Sequence, residues 1–162
     1  PRKGTGDLVR AYHLLRQQHP ELALVIAGGE TLFDYRDYRA AFDTACAELD
    51  VDPVILGAIA DDDLPALVAG CDVFAFPSTK EGFGLAAMEA LAAGRPVVTR
   101  DLPVLREVFG DTVRFAADMS GFAAEMVAAL AEHADPTPGR ELAASMTWEA
   151  AARAHLDFYA NA

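Results

Sequence analysis

The stretch Phe76–Gly94, FPSTKEGFGLAAMEALAAG, decides the fold. An apolar strand end runs into Pro77 and Ser78, then into a loop holding Gly82 and Gly84. Nine residues from Leu85 to Ala93 follow, interrupted only by Glu89, and Gly94 closes them. This pattern predicts a strand, a tight glycine loop, and a helix with a glycine C-cap. Gly82 and Gly84 permit backbone angles and a close approach that a side chain would block. A helix starting at Leu85 turns its free N–H groups and the positive end of its dipole toward the loop, which makes a phosphate site without a basic residue.

Outward from this unit the same alternation repeats. Helical spacing of Leu8, Val9, Tyr12 and Leu15 ends before Pro20, and Leu22–Ala27 is an apolar strand stopped by Gly28 and Gly29. A helix is expected over Tyr38–Leu49, a strand over Val54–Leu56 stopped by Gly57, a short helix over Leu64–Ala69, and a strand over Val73–Phe76. Beyond Gly94 come a strand at Pro96–Thr99, a helical turn at Leu105–Phe109, a strand at Val113–Phe115, and helices over Phe122–Ala131 and Thr147–Ala160, the last with Thr147 as N-cap. Short apolar strands alternating with helices predict a Rossmann-like α/β fold of three layers, a parallel sheet with helices on both faces. Strands that are apolar throughout, not alternating, predict burial on both sides. Ligands of such sheets bind at the carboxyl ends of the strands, so the loops after Ala27, Leu56 and Phe76 are the candidate site.

The chain of 162 residues has the length of one domain, and 52% of it is apolar, enough for a core. Its formal charge of -12 opposes nucleic acid and anionic membranes at long range but leaves room for a small anionic ligand held by local positive potential. No apolar run approaches the roughly 20 residues of a membrane span, and no signal peptide is visible. Cys46 and Cys71 read as buried thiols, consistent with a reducing, cytoplasmic setting. The start at Pro1, almost directly in a helix, reads as a cut, so this domain is expected to be a fragment.

Two carboxylates frame the loop, Glu81 before the glycines and Glu89 within the helix, with seven residues between them. The helix around Glu89 is otherwise wholly apolar and is expected to be buried nearly all round. A charge there needs a partner. That partner is either a backbone amide or arginine, or the hydroxyls of a ligand such as a ribose diol. Glu81 is either a solvated loop charge or a ligand contact. Asp61–Asp63 contains a D-x-D, but capping and dipole chemistry at the next helix explain it without metal. The histidines His13, His19, His133 and His155 show no zinc spacing. The turn Ala27-Gly28-Gly29 lacks the G-x-G-x-x-G fingerprint of a nicotinamide site, and Glu30 beyond it is either a ligand contact or a solvated acid. Arg36, Asp37 and Arg39 read as a solvated, mixed-charge helix start, and Trp148 and Tyr159 as packing residues.

Pro77-Ser78 followed by Glu81-Gly82-Phe83-Gly84-Leu85 and Glu89-Ala90 resembles the E-x7-E signature of glycosyltransferase family 4 and related retaining GT-B enzymes. The likeness runs along nearly the whole chain, through Lys3-Gly4, Ala27-Gly28-Gly29, Leu56-Gly57, Gly94-Arg95-Pro96-Val97-Val98 and Thr147-Trp148-Glu149. It implies the C-terminal, donor-binding domain of a transferase that takes sugar from a nucleotide diphosphate sugar. In that resemblance Glu81 holds sugar hydroxyls, and the segment from Ser78 and Gly82 through Phe83, Gly84 and Leu85 contacts sugar and pyrophosphate. Glu89 takes the ribose, Lys3 neutralises the departing diphosphate, and Gly28, Gly29, Val54, Leu56 and Gly57 lie along the base and its turn. No cofactor and no metal are implied. The resemblance places a strand and a Gly-Arg pair upstream of Lys3, and before them an acceptor-binding domain, the expected partner in the same polypeptide and the source of any membrane association. The closing helix is expected to pack back toward that domain. Other GT-B chemistry (sugar-nucleotide epimerisation or phosphorolysis) and a non-catalytic nucleotide-sugar-binding module remain open alternatives at this point.

Overall fold

The computed structural model describes residues 2–29, 36–132 and 134–161, so Glu30 and His133 lie outside the described residues. Helix α1 (Thr5–Leu15) leads to strand β1 (Val25–Ala27), α2 (Arg36–Glu48), β2 (Val54–Gly57), α3 (Leu64–Ala69) and β3 (Phe74–Phe76). Then follow α4 (Leu85–Ala92), β4 (Val97–Arg100), α5 (Pro103–Phe109), a 3-10 turn at Gly110–Thr112, β5 (Arg114–Ala116), α6 (Met119–Ala131), α7 (Thr137–Ser145) and α8 (Trp148–Ala160). All strand pairs are parallel, as the strand–helix alternation requires.

The strands form two sheets, β1–β2 and β3–β4–β5. The second behaves as expected. Val97, Val98 and Thr99 of its central strand β4 are all at most 2% exposed, because helices cover both faces and both edges are paired. The first sheet departs from the expectation of burial on both sides, since Val25 and Val54 stay 45% and 48% exposed. Helices α1 and α2 bring one buried cluster against this sheet, in which Leu8, Leu15 and Phe42 join Leu24 and the partly buried Ile26. Among the described residues no third strand pairs with β1 or β2. Strand β1 is also shorter than the apolar run at Leu22–Ala27 suggests, because Leu22 and Leu24 serve the core as coil.

The same cluster continues to the second sheet through Val98, Ala116 and Phe122, so α1 and α6 tie the two sheets together. A second cluster on the opposite face gathers Met88 and Leu91 of α4, Leu105 and Phe109 of α5, Phe76 and Val97. Helix α7 was not legible in the sequence. Its opening Thr137-Pro138-Gly139 reads as a turn, yet proline is tolerated in a first helical turn, where its missing N–H has no partner to lose. Gly139 is what lets α7 lie against α4, since a Cβ there would stand 2.8 Å from Leu91 Cδ2.

Thr147 caps α8 as expected, its side chain accepting a hydrogen bond from the Ala150 N–H at 3.1 Å. Before α3, Asp63 occupies the N-cap position without a side-chain hydrogen bond. Helix α8 buries no residue, and Trp148 and Tyr159 are 90% and 71% exposed. These aromatics therefore do not pack on the rest of the described chain, contrary to the sequence expectation. Both cysteines are free and only partly buried, and burial pushes both thiols above their ordinary range. No helix among the described residues is long and apolar enough to cross a membrane.

Candidate functional site

The loop after β3 and the N-terminus of α1 meet at the carboxyl end of the second sheet. Gly4 caps α1 in the left-handed region at φ 70°, and its Cα lies so close to β3 that an added Cβ would be 2.3 Å from the Pro77 carbonyl oxygen. Only glycine satisfies both constraints. Just upstream, the Thr79 N–H donates to the Arg2 carbonyl at 2.8 Å, and the Thr79 hydroxyl donates to the same oxygen at 3.2 Å. The two segments are thereby zipped over Arg2–Gly4 and Pro77–Thr79, which delivers Lys3 to the loop. Lys3 Nζ lies 2.6 Å from Glu81 Oε1 and 5.5 Å from the centroid of the Phe76 ring.

Glu81 is nearly enclosed, its side chain 9% exposed against 57% for Lys3. Burial pushes its pKa upward, but the hydrogen bond and charge of Lys3, the nearby Ser78 and the charge of Arg2 outweigh burial and hold it below the ordinary 4.5. Ser78 is 1% exposed. Its hydroxyl stands near enough to Glu81 to favour the charged form, yet it has no partner in proper hydrogen-bond geometry. A group lowered in the folded state stabilises the fold above its unfolded pKa and loses that contribution as pH falls through the folded one. Acid unfolding should therefore show a component below pH 4.5 that is absent from Glu81→Gln. Matching stability-versus-pH curves of the two proteins would contradict the pairing.

Helix α4 starts at Gly84 with φ 98° and no side-chain cap, leaving its first N–H groups turned to the loop. A Cβ at Gly84 would meet Phe109 at 3.0 Å and Leu105 at 3.1 Å. Gly82 differs: it is exposed and nothing lies within 4 Å of an added Cβ, so no protein contact demands a glycine there. Phe83 packs partly into the second core cluster. Glu89 corrects the expectation of a helix buried all round. Ala87, Met88, Ala90 and Leu91 face the core, whereas Leu85 is 63% exposed and Glu89 shares its open stripe. The Glu89 side chain has no hydrogen bond or ion pair among the described residues; its backbone carbonyl accepts the Ala93 N–H.

A second group sits at the ends of β1 and β2, where the Gly28 N–H donates to the Gly57 carbonyl at 2.8 Å and both glycines have positive φ. Gly29 lies against Ala58. Leu56 is 41% exposed beside Gly57, whereas Val54 starts β2, at the end of the strand away from this turn. No hydrogen bond joins this group to Lys3 or Glu81 among the described residues. Nor, among the described residues, do three or more His, Cys, Asp or Glu side chains converge as a metal ion would need. Arg39 pairs with Asp43 one helical turn on, an exposed contact.

The family model for glycosyl transferases group 1 matches residues 1–136. The chain belongs to this family. The O-antigen chain mannosyltransferase B of Escherichia coli is 36% identical over 121 residues, covering 68% of this chain and 29% of that protein. Sucrose-phosphate synthase from Thermosynechococcus elongatus superposes with a TM-score of 0.80 at 26% identity, over 99% of this chain and 42% of that one. The HepE protein of Anabaena, solved with UDP and glucose, gives 0.68 at 26% identity, over 88% of this chain and 38% of its own. This group 1 chain thus has the Rossmann-like fold of the C-terminal half of a GT-B glycosyltransferase. It spans well under half the length of the curated relatives it matches.

The zipped segments in this group 1 domain include residues that no sequence motif marked. Nothing in the sequence singles out Arg2 and Thr79, or Asp7 and Arg100 beside them; only the docking of α1 onto the end of β3 brings them together.

Proposed function

We propose that this domain binds a nucleotide diphosphate sugar and, in its full polypeptide, transfers the sugar to an acceptor with retention of anomeric configuration. The observation that carries the reading is the Lys3–Glu81 contact at the open N-terminus of α4. One cation, one nearly enclosed carboxylate and a set of uncapped N–H groups meet at one point. Breaking the anomeric C–O bond moves an electron pair onto the diphosphate, and preorganised N–H groups with a lysine stabilise that charge. Lys3 leaves Glu81 for the diphosphate. Glu81, freed, accepts hydrogen bonds from sugar hydroxyls, and the backbone from Gly82 to Leu85, with Ser78 beneath it, lines the sugar and pyrophosphate.

Glu89 takes the ribose diol, its open position one helical turn beyond Leu85 suiting a ligand contact better than a structural pair. The turn at Gly28, Gly29 and Gly57, with Leu56, forms the side toward the base, and Val54 at the far end of β2 stands apart from it. The reaction needs no metal, since lysine and helix dipole supply the positive potential. A donor of this kind fits the names of the mannosyltransferase relatives and the UDP and glucose held by HepE. A cytoplasmic setting suits the two free thiols.

The same reading accounts for two unfinished features of the fold. A strand upstream of Lys3 in the full polypeptide would pair with the open edges of the divided sheet. An acceptor-binding domain would cover the aromatic face of α8.

Calorimetric titration of the full polypeptide with UDP, GDP and ADP tests the proposal. One nucleotide should bind saturably, and Glu89→Ala should weaken it at least about tenfold, the loss of a charge-assisted hydrogen-bond pair, with the fold intact. No binding of any of the three would reject the donor site, and unchanged affinity in folded Glu89→Ala would remove the ribose role.

A further inference from the structure

Arg100 ends β4, and its side chain is only 18% exposed. Its Nη2 donates to Asp7 Oδ2 at 2.7 Å, and its Nε donates to the Pro77 carbonyl at 3.2 Å. Asp7 lies in the first turn of α1, four residues after Lys3. Pro77 is the last residue before the buried Ser78 and the loop that carries Glu81. Its carbonyl is also the group against which Gly4 is pressed. One guanidinium therefore holds both segments whose separation sets the Lys3–Glu81 distance. A planar fork with several fixed donors suits this bridging, whereas a lysine reaches one acceptor well and the other poorly.

Charge adds a second consequence. Asp7 stands at the helix end beside which a diphosphate would approach Lys3, and an unpaired carboxylate there would oppose it. Among the described residues Asp7 has two ion pairs, an exposed one with Arg10 at 3.6 Å and the partly buried one with Arg100 at 2.7 Å, and the closer Arg100 removes most of that opposition.

We propose that Arg100 is a positioning residue of the donor site, aligning Lys3 against the β3–α4 loop through Asp7 and the Pro77 carbonyl and screening Asp7 from the ligand. This rests on the reading of Lys3 as the diphosphate cation. Lys3 and Glu81 would touch the ligand; Arg100 acts through them.

The test is calorimetric titration of the full polypeptide with UDP, GDP and ADP, followed with whichever nucleotide wild type binds. Wild type, Arg100→Gln, Arg100→Lys, Lys3→Ala and the double variant Arg100→Gln/Lys3→Ala are compared. Arg100→Gln should weaken binding about tenfold, and Arg100→Lys, which keeps the charge facing Asp7, about threefold. In the Lys3→Ala background the effect of Arg100→Gln should shrink below about twofold, since coupled groups are not additive. A residue that merely stabilised the fold would lower the melting temperature without this dependence on Lys3. If Arg100→Gln does not fold, Arg100→Lys with and without Lys3→Ala carries the same comparison. Unchanged affinity in both Arg100 variants, with Lys3→Ala still weakened, would overturn the positioning role and leave the donor site standing. An equal loss with and without Lys3 would also overturn it. A Lys3→Ala protein that binds as wild type would instead reject Lys3 as the diphosphate cation, and this inference with it.

Discussion

Replacing Gly4 with alanine is expected to cost about 3 kcal/mol or more of stability, through left-handed strain and a steric clash together. Gly4 has φ 70°, where a Cβ is disfavoured, and the added atom would fall 2.3 Å from the Pro77 carbonyl oxygen and 2.9 Å from its carbon. Backbone cannot move aside as a flexible side chain can, so α1 would have to lift from β3. The zipper at Thr79 and Arg2 would open with it, and Lys3 would leave Glu81. Gly57→Ala provides the control. Its φ is also 70°, but nothing lies within 4 Å of an added Cβ. That variant should lose only the conformational part, about 1–2 kcal/mol. Denaturant unfolding of both variants in the full polypeptide decides the matter. Equal losses would mean that α1 does not rest on Pro77 as described.

Glu81→Gln is expected to lower donor turnover about 10²–10³-fold, the range seen when one preorganised transition-state contact is removed. Glutamine keeps the shape but accepts weaker, neutral hydrogen bonds. It also leaves Lys3 without its counter-charge in the empty site. The stability cost should be small, under about 1 kcal/mol, because Lys3 is 57% exposed and water screens the pair. Activity and stability thus separate, unlike in Gly4→Ala. Turnover can be followed by release of nucleoside diphosphate from the nucleotide sugar. Wild-type turnover in Glu81→Gln would exclude the carboxylate from sugar recognition. A large fall in melting temperature would make the residue structural.

How far the sequence was legible differs by residue. Gly84 was readable because both demands on it, a left-handed cap and a close neighbour, follow from a glycine standing directly before an apolar helix. Gly94 was readable for a different reason, its place just past the end of that helix, where a left-handed residue is favoured, and φ 73° agrees. Glu89 stands out in the sequence as the one charge of an apolar helix, but the expectation that this helix is buried all round fails there. Small alanines on every side hide which stripe of a helix faces the core, since alanine is compatible with either environment. The second sheet announced itself through the apolar strand β3 and the Val97-Val98 pair of β4. The exposure of Val25 and Val54 could not be foreseen, because strand composition does not say whether a neighbouring strand is present.

The sequence by itself determined the order of strands and helices apart from α7, the glycine turns, and the two carboxylates that frame the loop. These are local properties of periodicity, backbone freedom and spacing. Only the tertiary structure decided that Lys3 meets Glu81 across 78 residues of chain, that Arg100 bridges Asp7 and Pro77, that α7 lies against α4, and that α8 buries nothing against the other described residues. Each of these depends on which elements touch. That choice follows from the packing of whole faces, where no single residue type carries the signal.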